Sequence, residues 1–306
     1  MKVAIIGAGN VGSTLAMRVV ESNIGDVVLL DIIEGIPQGK AIDISDASPI
    51  LNHENKIVGT NNYKDIKDSN IIVITAGLPR KPGSSREDLT YKNAEIIKDV
   101  ISNIKRLSIE PIIIVVTNPL DVMTYYAYKL SGFPKSKIMG MAGTLDTARF
   151  INLISDKTSV PRKKIEAFVL GSHGDTMVPA ISHTKVDKRP LKDALDKKTI
   201  NELVEKTKNR GAEIVSYLKT GSAYYSPSAG VLEILKAIKE DSNRVMCVSA
   251  YLDGEYGIKD CFIGVPARIG KKGIVEIIDI HLDNDELSTL RESAKKTKDA
   301  ISLVSR

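Results

Sequence analysis

A strand–turn–helix junction near the N-terminus constrains the fold most. The apolar run VAII (3–6) leads directly into GAGNVG, and that turn opens the helical pattern VGSTLAMRVVES (11–22). Gly7, Gly9 and Gly12 hold the G-x-G-x-x-G spacing. A glycine triplet alone recurs by chance, but between a strand and a helix each position has a physical reason. The first glycine permits the tight turn, the second lets backbone approach a pyrophosphate, and the third allows close helix–sheet packing. Free N–H groups at the helix start then face the anion. Asp31 follows the next apolar run, VVLL (27–30), at the usual distance of about 20 residues. A carboxylate there accepts hydrogen bonds from a ribose diol and repels a 2′-phosphate, which favours NAD over NADP.

The same rhythm continues through the first half. KIVG (56–59), IIVIT (71–75), IIIVVT (112–117) and KIMGM (137–141) alternate with helical segments, notably YKNAEIIKDVISNIKRL (91–107). Continuous apolar runs imply strands covered on both faces, hence an α/β fold with a doubly wound, Rossmann-type parallel sheet and right-handed crossovers. Beyond about residue 142 the pattern changes. Helical stretches at 144–156, 199–219 and 227–240 flank strand candidates within 245–278 that are joined by DGEYG and GKKG, which is antiparallel hairpin chemistry. An amphipathic helix over 283–304 closes the chain, with Leu287, Leu290, Ala294, Ile301 and Val304 on one face. A length of 306 residues exceeds one small core. The expected organisation is a dinucleotide-binding domain over 1–142 and a mixed α/β domain over 143–306, packed around a shared cleft.

Composition removes several function classes. A net charge of +5 would suit a nucleic-acid partner, but the lysines interleave with acids along helices, as in KTINELVEKTKNR (198–210). Such spreading gives a solvated face and favours small anionic substrates instead. No apolar run reaches bilayer length, and no signal-peptide pattern precedes the first strand. Cys247 and Cys261 sit in apolar runs with no metal-ligand spacing, so they read as buried reduced thiols of a cytoplasmic protein, and no metal is expected.

Four histidines are available for proton transfer: His53, His173, His183 and His281. His53, in LNHENK, reads as a surface loop residue, and His183 and His281 as structural. His173 lies in LGSHGDT (170–176), after an apolar run and among small residues, where an imidazole can reach a ligand. In GTLDTARF (143–150), Asp146 and Arg149 are i and i+3 on a helix start; alone they read as a surface ion pair. In VVTNPLDV (115–122), Asn118 follows the end of an apolar strand, where open α/β sheets bind ligands. TAGLPRKPGSSREDLT (75–90) places Arg80, Lys81 and Arg86 on a segment broken by Pro79, Pro82 and Gly83.

Taken in order, GAGNVG, TAGLPRKPG with its following arginine, TNPLDV, LDTARF and GSHGDTMVP resemble the lactate/malate dehydrogenase family over essentially the whole chain. The resemblance implies that His173 is the proton donor and acceptor and that Asp146 orients its imidazole. It implies that Arg149 grips the substrate's C1 carboxylate, that Arg86 polarises the carbonyl from a mobile loop, and that Asn118 hydrogen-bonds the reacting oxygen. The implied cofactor site comprises Gly7, Gly9, Asn10, Val11, Gly12, Asp31, Thr75, Ala76, Gly77, Asn93, Val116 and Asn118. Malate-specific members carry arginine at the discriminating loop position, here Arg80, where lactate-specific ones carry an uncharged residue. An unpaired arginine facing a methyl group is costly, whereas a second carboxylate satisfies it. The expectation is therefore the malate/oxaloacetate branch, with a lactate or other 2-hydroxy-acid dehydrogenase as the alternative. A metal-requiring NAD-dependent glycosidase and a non-catalytic nucleotide sensor are the rival classes; the missing metal ligands and the intact catalytic set disfavour them. The resemblance further implies a cytoplasmic tricarboxylic-acid-cycle enzyme. Ile151 and Asp46 stand where relatives often have arginine and histidine, which loosens inference about assembly. The expected partner is a further copy of the chain, as dimer or tetramer, with no nucleic acid or membrane.

Overall fold

The computed structural model describes residues 1–79 and 86–304. The first half comprises β1 (Lys2–Ile6), α1 (Asn10–Glu21), β2 (Asp26–Leu30), α2 (Ile36–Asp46), α3 (Ser48–Leu51) and β3 (Ile57–Thr60). It continues with β4 (Ile71–Ile74), α4 (Arg86–Arg106), β5 (Ile112–Val115), α5 (Leu120–Ser131) and β6 (Ile138–Gly140). These six strands are parallel, in the order β3-β2-β1-β4-β5-β6, so the direction of winding reverses between β1 and β4. The loops leaving those two strands bound the crevice where such sheets bind ligands.

Burial explains why these runs are strands. Val3 and Ile5 join the core on one face of the sheet with Leu15 and Val19 of α1. Ala4 and Ile6 face the other side, with Ile97 and Ile101 of α4 and Ile113 of β5. With both faces covered, a continuous apolar strand is needed, which the sequence supplies.

The second half holds α6 (Gly143–Thr158), β7 (Ile165–Glu166), β8 (Val169–Gly171), β9 (Met177–Pro179), β10 (Lys185–Val186), β11 (Arg189–Pro190) and α7 (Leu191–Ala194). It ends with α8 (Lys197–Leu218), α9 (Tyr225–Glu240), β12 (Arg244–Asp253), β13 (Lys259–Gly270), β14 (Gly273–Ile277) and α10 (Asn284–Val304). Strands β12, β13 and β14 form the expected antiparallel hairpins. Local patterning does not reveal that β12 pairs with β6, Ser249 opposite Gly140, and so extends the parallel sheet into the second half. Strand β8 then pairs with β13, bringing the segment that carries His173 back onto the same sheet. Leu290, Ala294 and Ile301 of α10 are buried, with Leu287 and Val304 packed at the margins.

One expectation fails here. His53 does lie in the loop after α3, but it is only 5% exposed, and both ring nitrogens lack hydrogen-bond partners among the described residues. Polar neighbours made the segment read as solvated. Asn55, however, ties the loop to the end of α1 through the Val20 carbonyl and the Asn23 side chain, at 2.8 and 2.9 Å. Both cysteines are buried and free, and burial pushes each thiol up to about 12. Among the described residues there is no His, Cys, Asp or Glu cluster able to hold a metal, and no helix long and apolar enough to cross a membrane.

Candidate active site

The cofactor side begins at the glycine turn. Gly7 adopts φ +108°, a conformation that side chains rarely tolerate. A Cβ on Gly12 would sit 1.9 Å from the Gly7 carbonyl oxygen, so only glycine lets α1 start this close to β1. A Cβ on Gly9 would meet nothing within 4 Å, which leaves open space ahead of the helix. Helix α1 has Gly9 as N-cap and no side-chain cap, so the N–H groups of its first residues, Asn10, Val11 and Gly12, remain available to an anion. Asp31 follows β2 and accepts a hydrogen bond from the Ala8 N–H at 2.6 Å, placing its carboxylate beside the turn.

The loops after β4 and β5 are knitted to this turn. The Thr75 hydroxyl donates to the Gly7 carbonyl at 3.0 Å, and the Thr117 hydroxyl to the Ala76 carbonyl at 2.7 Å. A Cβ on Gly77 would meet the Thr117 side chain at 2.6 Å. Asn93 of α4 is only 1% exposed, and its amide accepts from the Leu78 N–H at 2.8 Å and donates to the Asn118 carbonyl at 2.7 Å. Asn93 is thus a buried strut between the two loops. Asn118 itself is exposed, and Val116 is partly buried beside it.

The substrate side centres on Asp146, at 2% exposure in the first turn of α6. One carboxylate oxygen meets His173 Nδ1 at 2.8 Å, and the other accepts from Arg149 Nη1 at 3.3 Å. The i,i+3 pair is therefore not a surface one. The i,i+3 spacing is visible in sequence, but its burial depends on β8 delivering His173 against α6. Arg149 is 11% exposed in its side chain, and its buried Nε has no partner among the described residues. Burial lowers this guanidinium's pKa while Asp146 opposes the shift, and an arginine stays charged regardless. For His173, burial favours the neutral ring, but the charge and hydrogen bond of Asp146, with help from Asp121, outweigh it and raise the pKa. The side chain keeps 21% exposure, so the ring remains accessible from solvent.

Sequence reasoning missed a second carboxylate. Asp121 of α5, also 2% exposed, accepts from the backbone N–H of His173 at 3.0 Å, from Ser172 Oγ at 2.8 Å and from Ser249 Oγ at 2.6 Å. On the other side of the loop, the Ser172 N–H donates to Ser293 Oγ of α10 at 2.9 Å. The only local signal for Asp121 was an acid inside the otherwise apolar run LDVM, which also reads as an ordinary first-turn acid on a helix. Arg80 lies outside the described residues, and Arg86 begins α4 with its side chain outside them as well.

The sequence profile of the lactate/malate dehydrogenase NAD binding domain matches residues 1–140, and that of the family's alpha/beta C-terminal domain matches residues 143–306. A malate dehydrogenase from Chlorobium phaeovibrioides is 50% identical over 295 residues, covering 96% of each chain. The solved structure of malate dehydrogenase from Salinibacter ruber superposes with a TM-score of 0.95 at 44% identity, over 100% of this chain and 98% of that one. A lactate dehydrogenase from Cryptosporidium parvum, complexed with lactic acid and nicotinamide adenine dinucleotide, superposes at 0.96 with 37% identity, over 100% and 98%. Matched by both halves of the family's profile and by whole-length relatives, the chain belongs to the lactate/malate dehydrogenase family of oxidoreductases.

Proposed function

We propose that the chain is an NAD-dependent malate dehydrogenase that interconverts (S)-malate and oxaloacetate. The observation that carries this reading is the pair of contacts made by the Asp146 carboxylate, which holds a proton-transfer group at 2.8 Å and a carboxylate-binding fork at 3.3 Å. NAD fits the residues present: open space at Gly9, an uncapped α1 start and Asp31 beside the turn suit a diphosphate and a ribose. When bound, the cofactor supplies or accepts the hydride.

The chain's own residues orient the substrate, move the proton and neutralise charge. Arg149 presents a partly unpaired guanidinium whose fork matches a C1 carboxylate. His173, held at Nδ1 by Asp146, directs Nε2 to the substrate oxygen. Reduction of the oxo acid needs the imidazolium, which the raised pKa supplies; oxidation of malate needs the neutral ring. Oxidation therefore gains, and reduction loses, as pH rises through the raised His173 pKa. Asn118, exposed at the cleft, contributes a hydrogen bond to the reacting oxygen, and Arg86 polarises the carbonyl as charge develops. Arg80 takes the distal carboxylate.

The malate assignment over lactate draws on Arg80 and on relatives named malate dehydrogenase. The lactate alternative remains the second reading, because a lactate dehydrogenase superposes as well as the malate enzymes do. The test is NADH oxidation with oxaloacetate against pyruvate. Oxaloacetate should win by a large factor in kcat/KM, and Arg80→Gln should shrink that ratio by at least about tenfold. Equal or reversed values for the wild type would defeat the malate reading. The chain functions as a homo-oligomer, a reading supported by Ile42 and Ile50, which are 63% and 84% exposed on neighbouring helices. A monomeric mass by light scattering would refute it.

A further inference from the structure

We infer that Lys40 is a cofactor-binding residue that clamps the glycine turn and supplies the cation facing the dinucleotide's pyrophosphate. The inference rests on the NAD reading of the site but not on which acid is the substrate. Lys40, half-buried in α2, donates from Nζ to the Ala8 carbonyl at 2.6 Å and lies 3.4 Å from Ser13 Oγ. The N–H of the same residue, Ala8, donates to Asp31 at 2.6 Å. Ala8 stands between Gly7 and Gly9, the two freest positions of the turn, and both its backbone polar groups are thus held by side chains of opposite charge. A glycine turn loses much conformational freedom on ordering, so an external clamp lowers the cost of presenting its N–H groups to an anion.

The electrostatics point the same way. Among the described residues, both hydrogen-bond partners of the ammonium are neutral oxygens, a carbonyl and a hydroxyl. Ser13 in turn donates to the carbonyl of Gly9, the N-cap of α1, so the cation sits at the positive end of that helix dipole. The nearby Asp31 carboxylate is engaged by the Ala8 and Ile33 N–H groups and has no hydrogen bond with the ammonium among the described residues, so the ammonium keeps capacity for a further anion. A bridging diphosphate satisfies the ammonium and the free N–H groups together.

The test uses the full-length protein and NADH titrated by fluorescence, without substrate. Lys40→Met should weaken NADH about tenfold or more, as expected for one lost charge-assisted bond. Lys40→Arg, which keeps the charge, should bind NADH within about threefold of the wild type. ADP should lose affinity for Lys40→Met in parallel with NADH, whereas adenosine, which lacks the phosphates, should not. If Lys40→Met folds poorly, Lys40→Gln carries the same comparison. An unchanged Kd for NADH, or equal losses for ADP and adenosine, overturns the inference. A wild-type protein that fails to bind NADH would instead reject the cofactor reading beneath it.

Discussion

Asp121 and Asp146 are buried to the same degree, and both hold His173, yet they do different work. Asp146 touches charged groups, the imidazole ring and the Arg149 guanidinium. Among the described residues, the hydrogen bonds of Asp121 come from neutral donors, two hydroxyls and one backbone N–H. Burial accordingly drives the Asp121 pKa up, and its three hydrogen bonds only partly counter that. A buried carboxylate among cations can tune a proton transfer. One on α5 among neutral donors from β12 and the His173 loop fixes where the transfer happens, because it joins three elements that are distant in sequence.

Substitutions can break this contrast in order of expected effect. Asp146→Asn should lower kcat/KM for oxaloacetate reduction on the order of 10³–10⁴-fold, since the amide neither stabilises the imidazolium nor pairs Arg149. Steady-state assays with thermal melts check it; the melting temperature should fall far less in proportion than the activity. Asp121→Ala should reverse the balance, costing about 3 kcal/mol of stability by stranding the buried Ser249 hydroxyl and two half-buried donors, as read from denaturant unfolding. Asp121→Asn keeps the shape and removes the charge that helps raise the His173 pKa. Its pH profiles for reduction and oxidation should both move to lower pH, with a loss of about tenfold or less in kcat near neutrality. An unshifted profile would confine Asp121 to a structural part. The smallest change is Ser249→Ala, which removes one of the three donors and should cost about 1 kcal/mol with an unaltered pH profile.

Legibility in the sequence followed the range of the interactions. The parallel strands could be read because burial on both faces forces continuous apolar runs, and the turn could be read because the positive φ of Gly7 and the close approach of Gly12 to the Gly7 carbonyl belong to the junction itself, whereas the packing of Gly7 against Thr75 and Ala76 comes from far along the chain. Asp146 and Arg149 were visible as a pair, but the local reading put them on the surface. Their burial depends on a histidine that arrives from β8. His53 was misread for the same reason in reverse, since polar neighbours say nothing about what packs over a loop. Asp121 and Lys40 had almost no local signature, because their partners lie 51 to 128 residues away in one case and 27 to 32 in the other.

By itself the sequence determined the alternation of strand and helix, the glycine turn with its acid, and the set of residues able to do the chemistry. Those properties depend on backbone geometry and hydrophobic periodicity, which act over a few residues. Tertiary structure alone decided that β12 continues the sheet of the first half, that Asp146 faces an imidazole and a guanidinium away from water, and that Asp121 anchors the loop between them. Protonation and placement depend on charge and desolvation across chain-distant neighbours, and only the folded chain brings those neighbours within 3 Å or so of one another.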